Sequence, residues 1–199
     1  MSTSRALRLP LLASVCFVLG GCMHVPVTTL YKLWSTDMAA ADPALMRVAT
    51  RTPRALAPRP GGVKLTYTAW RDGDKDKRVY TFVLAEANEP GELAPLAKYK
   101  RAGDAVTAFR LSASDAQQLR TLQAESREET SSIKGKPHGE IGISADACRR
   151  EALGSGPILT STYLLVSQAD GYLPVLEDID LRQELSASEF AAHLPLCGA

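Results

Sequence analysis

Asparagine occurs once in the 199 residues, at Asn88, and histidine three times, at His24, His138 and His193. The histidines are far apart, without an i,i+4 partner or an HExxH context, which excludes a helical zinc-peptidase motif. Other catalytic signatures are missing too. The Gly-x-Ser-x-Gly turn of a hydrolase elbow is absent, and Gly154-Ser155-Gly156-Pro157 has the wrong spacing and reads as a loop. No glycine-rich phosphate loop appears. An excess of one charge is lacking as well, with 23 Lys and Arg against 22 Asp and Glu. That balance leaves no electrostatic footprint for nucleic acid and no polybasic patch for anionic lipid. No apolar run reaches the roughly 20 residues that a membrane-spanning helix needs.

The first 22 residues carry the clearest pattern. Arg5 and Arg8 precede a mostly apolar stretch from Leu9 to Leu19, followed by Gly20, Gly21 and Cys22. Length and flanks are those of a secretory signal. At its end, Leu19-Gly20-Gly21-Cys22 resembles the lipobox of bacterial lipoproteins. The resemblance implies cleavage by the lipoprotein signal peptidase between Gly21 and Cys22, with a diacylglycerol on the Cys22 thiol and a fatty acyl group on its amine. No other cofactor is expected. The other reading is an ordinary secretory signal with an incidental cysteine. Each buried methylene contributes about 0.8 kcal/mol, so two or three chains on one residue hold durably where one holds reversibly. In that family an aspartate after the cysteine favours inner-membrane retention. Met23 is not aspartate, which implies the outer membrane, facing the periplasm. The expected organisation is a signal peptide over 1–21, a lipidated tether over 22–29 and a single globular domain over 30–199. So short a tether, at about 3.5 Å per residue, lifts the domain no more than roughly 30 Å.

In the body, period-two alternation predicts a strand in "VKLTYTAW", a more evenly apolar run predicts one in "RVYTFVLAEA", and further strands are expected in "DAVTAFRL", "PILTSTYLLVSQ" and "YLPVLEDIDL", with shorter ones at Met46–Arg51 and in "GEIGIS". Polar "RDGDKDK" joins the first two as a hairpin, and Asp170-Gly171 marks a tight turn. Pro174 lacks an amide donor and belongs at a sheet edge. "RTPRALAPRPGG" reads as an extended surface loop. Helices are expected in "SASDAQQLRTLQAESREE", with serine caps and Ala116, Leu119 and Leu122 on one face, and in "SASEFAAHL", where Ser186 and Glu189 have capping-box spacing. The fold expectation is α+β, an antiparallel sheet of about five to six strands with two peripheral helices. A β-sandwich with added helices is the alternative.

Of the four cysteines, Cys16 leaves with the leader and Cys22 carries lipid. Cys148 and Cys197 remain in an oxidising compartment, and a disulfide between them is expected. Alternating Asp72, Asp74 and Asp76 suggest a calcium loop, but Lys77 and Val83 stand where that loop needs glycine and a bidentate glutamate, so a solvated hairpin turn is the better reading. His138 lies in polar "KGKPHGE" and is expected to be exposed. Asp178 and Asp180 alternate with Ile179 and Leu181, which predicts a solvated acidic face, and "KYKR" over 98–101 reads as a soluble loop. No catalytic residues are assigned. The sequence therefore suggests a non-enzymatic, membrane-anchored envelope lipoprotein that binds an envelope protein or supports an assembly. A small-molecule or lipid binder with a pocket between sheet and helix is the alternative, and an envelope hydrolase without a familiar motif is a third.

Overall fold

The computed structural model describes residues 41–128 and 135–198. The expected signal peptide, its cleavage site at Gly21 and Cys22, and the tether over 22–29 lie outside those residues.

Among the described residues, eight strands and four helices follow in chain order: β1 (Arg47–Pro53), β2 (Leu56–Arg71), β3 (Arg78–Val83), β4 (Ala85–Glu86), α1 (Pro90–Leu93), β5 (Asp104–Arg110), α2 (Ala113–Glu128), β6 (Pro137–Arg149), β7 (Leu159–Leu165), β8 (Leu173–Asp180), α3 (Leu181–Glu184) and α4 (Ala187–His193). Short 3-10 turns cover Pro43–Leu45 and Ala94–Tyr99. All strand pairs are antiparallel. They form a five-stranded sheet in the order β4-β5-β1-β7-β8 and a three-stranded sheet in the order β3-β2-β6. The architecture is thus α+β and antiparallel, with the strands divided between two sheets.

Alternation along β1 explains the layering. Val48 faces inward with Phe109 and Leu164, and meets Val63, Leu65, Tyr67 and Phe82 of the smaller sheet in one core. Helix α2 closes that core with Ala116 and Leu119. The opposite face carries Ala49, Ala108, Tyr163 and Leu165, covered by Leu96 from the 3-10 turn that follows α1. A third cluster of Leu56, Ile158 and Leu194, with Phe190 against it, seats α4.

Cap chemistry sets the helix starts as the sequence suggests. Ser112 Oγ accepts from the Asp115 amide at 3.1 Å, and Ser186 and Glu189 form a capping box that also holds the Glu189 carboxyl below its usual range. Cys148 and Cys197 are joined in a disulfide across 49 positions of sequence. A loop of that size restricts the unfolded chain by about 4 kcal/mol in the chain-entropy picture. It pins the C-terminal residues beside β6, where Arg149 and Leu196 form an isolated parallel bridge.

The segment expected as a surface loop over 51–62 is mostly strand. β1 continues to Pro53, and β2 starts at Leu56, pairing with β6 on both sides of an irregularity between Pro58 and Val63. Proline and glycine do their work within that bulge. Gly61 has φ +69°, and a Cβ on Gly62 would lie 3.0 Å from the Arg59 and Asp146 carbonyl oxygens. "GEIGIS" is correspondingly part of a strand of 13 residues, long enough to pair along nearly all of β2.

Candidate binding site

Two alternating tripeptides build the site. Thr50-Arg51-Thr52 in β1 lies beside Thr160-Ser161-Thr162 in β7, with Thr50 opposite Thr162 and Arg51 opposite Ser161. Side chains on successive residues point to opposite faces, so the threonines turn toward the smaller sheet while Arg51 and Ser161 turn away. The facing wall comes from Leu56 and Val63 of β2 and from Ile143, Ala145 and Ala147 of β6. These residues are shorter than the Tyr67, Phe82 and Phe109 that fill the sheets' other end. Short side chains on both walls leave a cavity of about 360 Å³, closed at one side by residues of α3, α4 and their flanks, including Leu181 and Leu194. Thr50, Leu56, Val63 and Leu194 are buried, whereas Ala145, Asp146, Leu176 and His193 are exposed. That contrast makes the cavity a cleft with a dry floor and an open rim. Among the described residues no lysine or arginine lines it.

Behind the threonine wall lies a charged cluster. Arg51 is only 2% exposed. Its Nη2 donates to Ser161 Oγ at 2.8 Å and to the Asp178 carboxylate, and its Nε lies 3.5 Å from Asp104 Oδ2. The Arg101 guanidinium forks onto the same Asp178, with Nη1 to Oδ1 at 2.8 Å and Nη2 to Oδ2 at 3.0 Å. Asp178 holds φ at +54°, the left-handed region that Asp tolerates better than most residues. Its amide donates to Ser161 Oγ at 3.0 Å. The expected solvated acidic face is therefore corrected. Register irregularities between β7 and β8 break simple alternation, so Asp178 pairs with arginines while Asp180 caps α3. The Asp180 carboxyl sits below its ordinary range, first because it accepts from the Ile158 amide and also because it accepts from Arg182. Within "KYKR", Tyr99 is only half exposed and packs against Tyr163, the rings tilted by 31° with centroids 4.1 Å apart. Together with Arg101 it makes this segment part of the packing rather than a free loop.

A second polar concavity of about 340 Å³ opens near α1, lined by Arg47, Glu92, Arg110 and Tyr172 among others. Arg47 donates to both Glu92 oxygens at 2.8 Å, which holds the Glu92 carboxyl below its usual range. Burial pushes the Tyr172 phenol up to about 12, and its oxygen has no hydrogen-bond partner among the described residues.

The aspartates of the candidate calcium loop go to separate partners. Asp74 accepts from the Arg71 amide at 2.7 Å, and Asp72 pairs with His138 at 2.7 Å. Among the described residues no three His, Cys, Asp or Glu side chains converge as metal ligands. His138 is half-buried on β6, its ring stacked on Trp70 with centroids 5.3 Å apart, which corrects the expectation of an exposed loop histidine. Lys77 Nζ lies 4.0 Å from the Trp70 ring centroid. The cavity itself carried one sequence signal that went unread, the paired Thr-x-Thr segments. Reading it requires knowing that β1 and β7 are neighbours in that register. No known family, curated protein or solved structure matches this chain.

Proposed function

We infer that this chain is an envelope lipoprotein, anchored by acyl groups on Cys22 and facing the periplasm from the outer membrane, whose body binds an envelope component without transforming it. The single observation that carries the binding part is the cleft between the sheets. At about 360 Å³ it falls in the range of small-molecule sites, its floor is buried, and its threonines stand together on one wall. These features favour a small apolar molecule over a protein as its occupant. The address rests on the lipobox residues alone.

A protein partner finds support in a different place. β3 is an edge strand, and its outward Val79 and Val83 are 59% and 49% exposed. An edge of that kind offers strand addition. In the larger sheet the outer strand β8 carries Pro174 and irregular pairing, which blunt it.

Native mass spectrometry of the full chain released from envelopes tests the binding reading. A small apolar ligand should accompany the wild type and be lost from Ala145→Trp, which plugs the rim at an exposed position. Equal retention by both forms, or no ligand on either, would contradict it.

A further inference from the structure

Resting on that reading of the cleft, its lining narrows the chemistry of the occupant. The floor is aliphatic, from Leu56, Val63 and Leu194, while the opposite wall carries the threonines of β1 and β7. Thr50 Oγ1 is shut off from solvent, and Thr160 Oγ1 donates to the Ile179 carbonyl at 3.5 Å, so half-buried Thr52 and Thr162 are the threonines left to meet a head group. Asp146 and His193 are the lining's ionisable residues, both exposed. Among the described residues of the lining, no lysine or arginine stands to meet a carboxylate or phosphate that leaves water here. Removing an ion from water unpaired costs several kcal/mol, whereas a hydroxyl or ester exchanges water for a threonine hydroxyl at little loss. Size sets the tail. An apolar cavity of about 150 Å³ takes one benzene, so the present volume suits a chain of roughly a dozen carbons.

The geometry points to a single-chain lipid with an uncharged, hydroxyl- or ester-bearing head, of the monoacylglycerol class, as the ligand of the inter-sheet cleft, selected over the free fatty acid of equal length. The tail lies along Leu56 and Val63, and the head meets the threonine wall toward the rim.

Photocrosslinking in envelope vesicles carrying the full chain tests this selection. Two probes share a dodecyl chain bearing a diazirine and a terminal alkyne; one is the monoacylglycerol and the other the free acid, used at a pH where the acid is ionised. The monoacylglycerol should label peptides of β1, β2, β6 and β7 roughly tenfold more strongly than the acid, a difference of about 1.4 kcal/mol. Ala145→Trp should abolish that labelling. Leu176→Lys, at an exposed rim position, should raise acid labelling toward that of the ester by supplying the missing cation. Equal or stronger labelling by the acid in the wild type, or no response to Leu176→Lys, would overturn the head-group selection and leave the cleft as a binding site. Labelling of the lining by neither probe, or labelling indifferent to Ala145→Trp, would overturn the cleft reading together with it.

Discussion

Tyr172 shows how one buried atom sets a pH response. Its ring is packed, 4% exposed, while its phenol oxygen finds no partner among the described residues. Below pH 10.0, its ordinary value, the phenol is protonated in folded and unfolded chains alike. From there to about 12, the unfolded chain releases a proton that the folded chain keeps, so stability falls as pH rises through that window. Tyr172→Phe should remove this part of the alkaline decline, and should stabilise the neutral-pH protein by up to about 1 kcal/mol because a dry, unpaired hydroxyl is lost. Urea titrations of both forms across the alkaline range measure this. Parallel stability curves would reject the assignment. Nothing in "ADGYLPV" distinguishes Tyr172 from an interfacial tyrosine. Its burial depends on the cover supplied by residues 90–99, a contact distant in sequence. By contrast, the serine caps act within a few residues of their targets, and so they were legible.

At the scale of elements, Arg51 and Asp178 tie β1 to β8 across the intervening β7. Asp178→Ala removes the main acceptor of a buried guanidinium and puts alanine in a left-handed conformation, and should cost about 3 kcal/mol. Asp178→Asn keeps the backbone tolerance and an acceptor oxygen, and should cost less. Arg51→Met should cost less again, since Asp178 retains Arg101 and a methionine fills the space. Urea denaturation ranks the three variants. An arginine replacement as damaging as Asp178→Ala would contradict this account of the cluster. The same elements show where sequence reading succeeded and failed. Strands with clean alternation, such as "VKLTYTAW" and "DAVTAFRL", were evident. β8 departs from alternation at its irregular pairing with β7, so alternation alone places its acidic residues on the wrong face. β6 contains two glycines and scattered charge, and only six of its 13 residues read as strand from the sequence. Its pairing with β2 overrides that weak local preference.

For the whole molecule, the division into two sheets is what creates the cleft, and a single sheet with peripheral helices would have offered no such space. Strand content was readable because each strand is a local pattern; which strands share a sheet was not, since that depends on registers between segments as distant as β1 and β7. The disulfide was expected from compartment, and the compartment came from the leader. No helix among the described residues is long and apolar enough to cross a membrane. The proposed address rests on the sulfur of Cys22 and the lipobox before it. Metabolic labelling with an alkyne fatty acid, followed by detergent partition of wild type and Cys22→Ser, tests it most directly. The wild type should take up label and enter the detergent phase, while Cys22→Ser should stay unlabelled and remain unprocessed by the lipoprotein peptidase. Equal labelling and equal partition of the two would contradict the anchor.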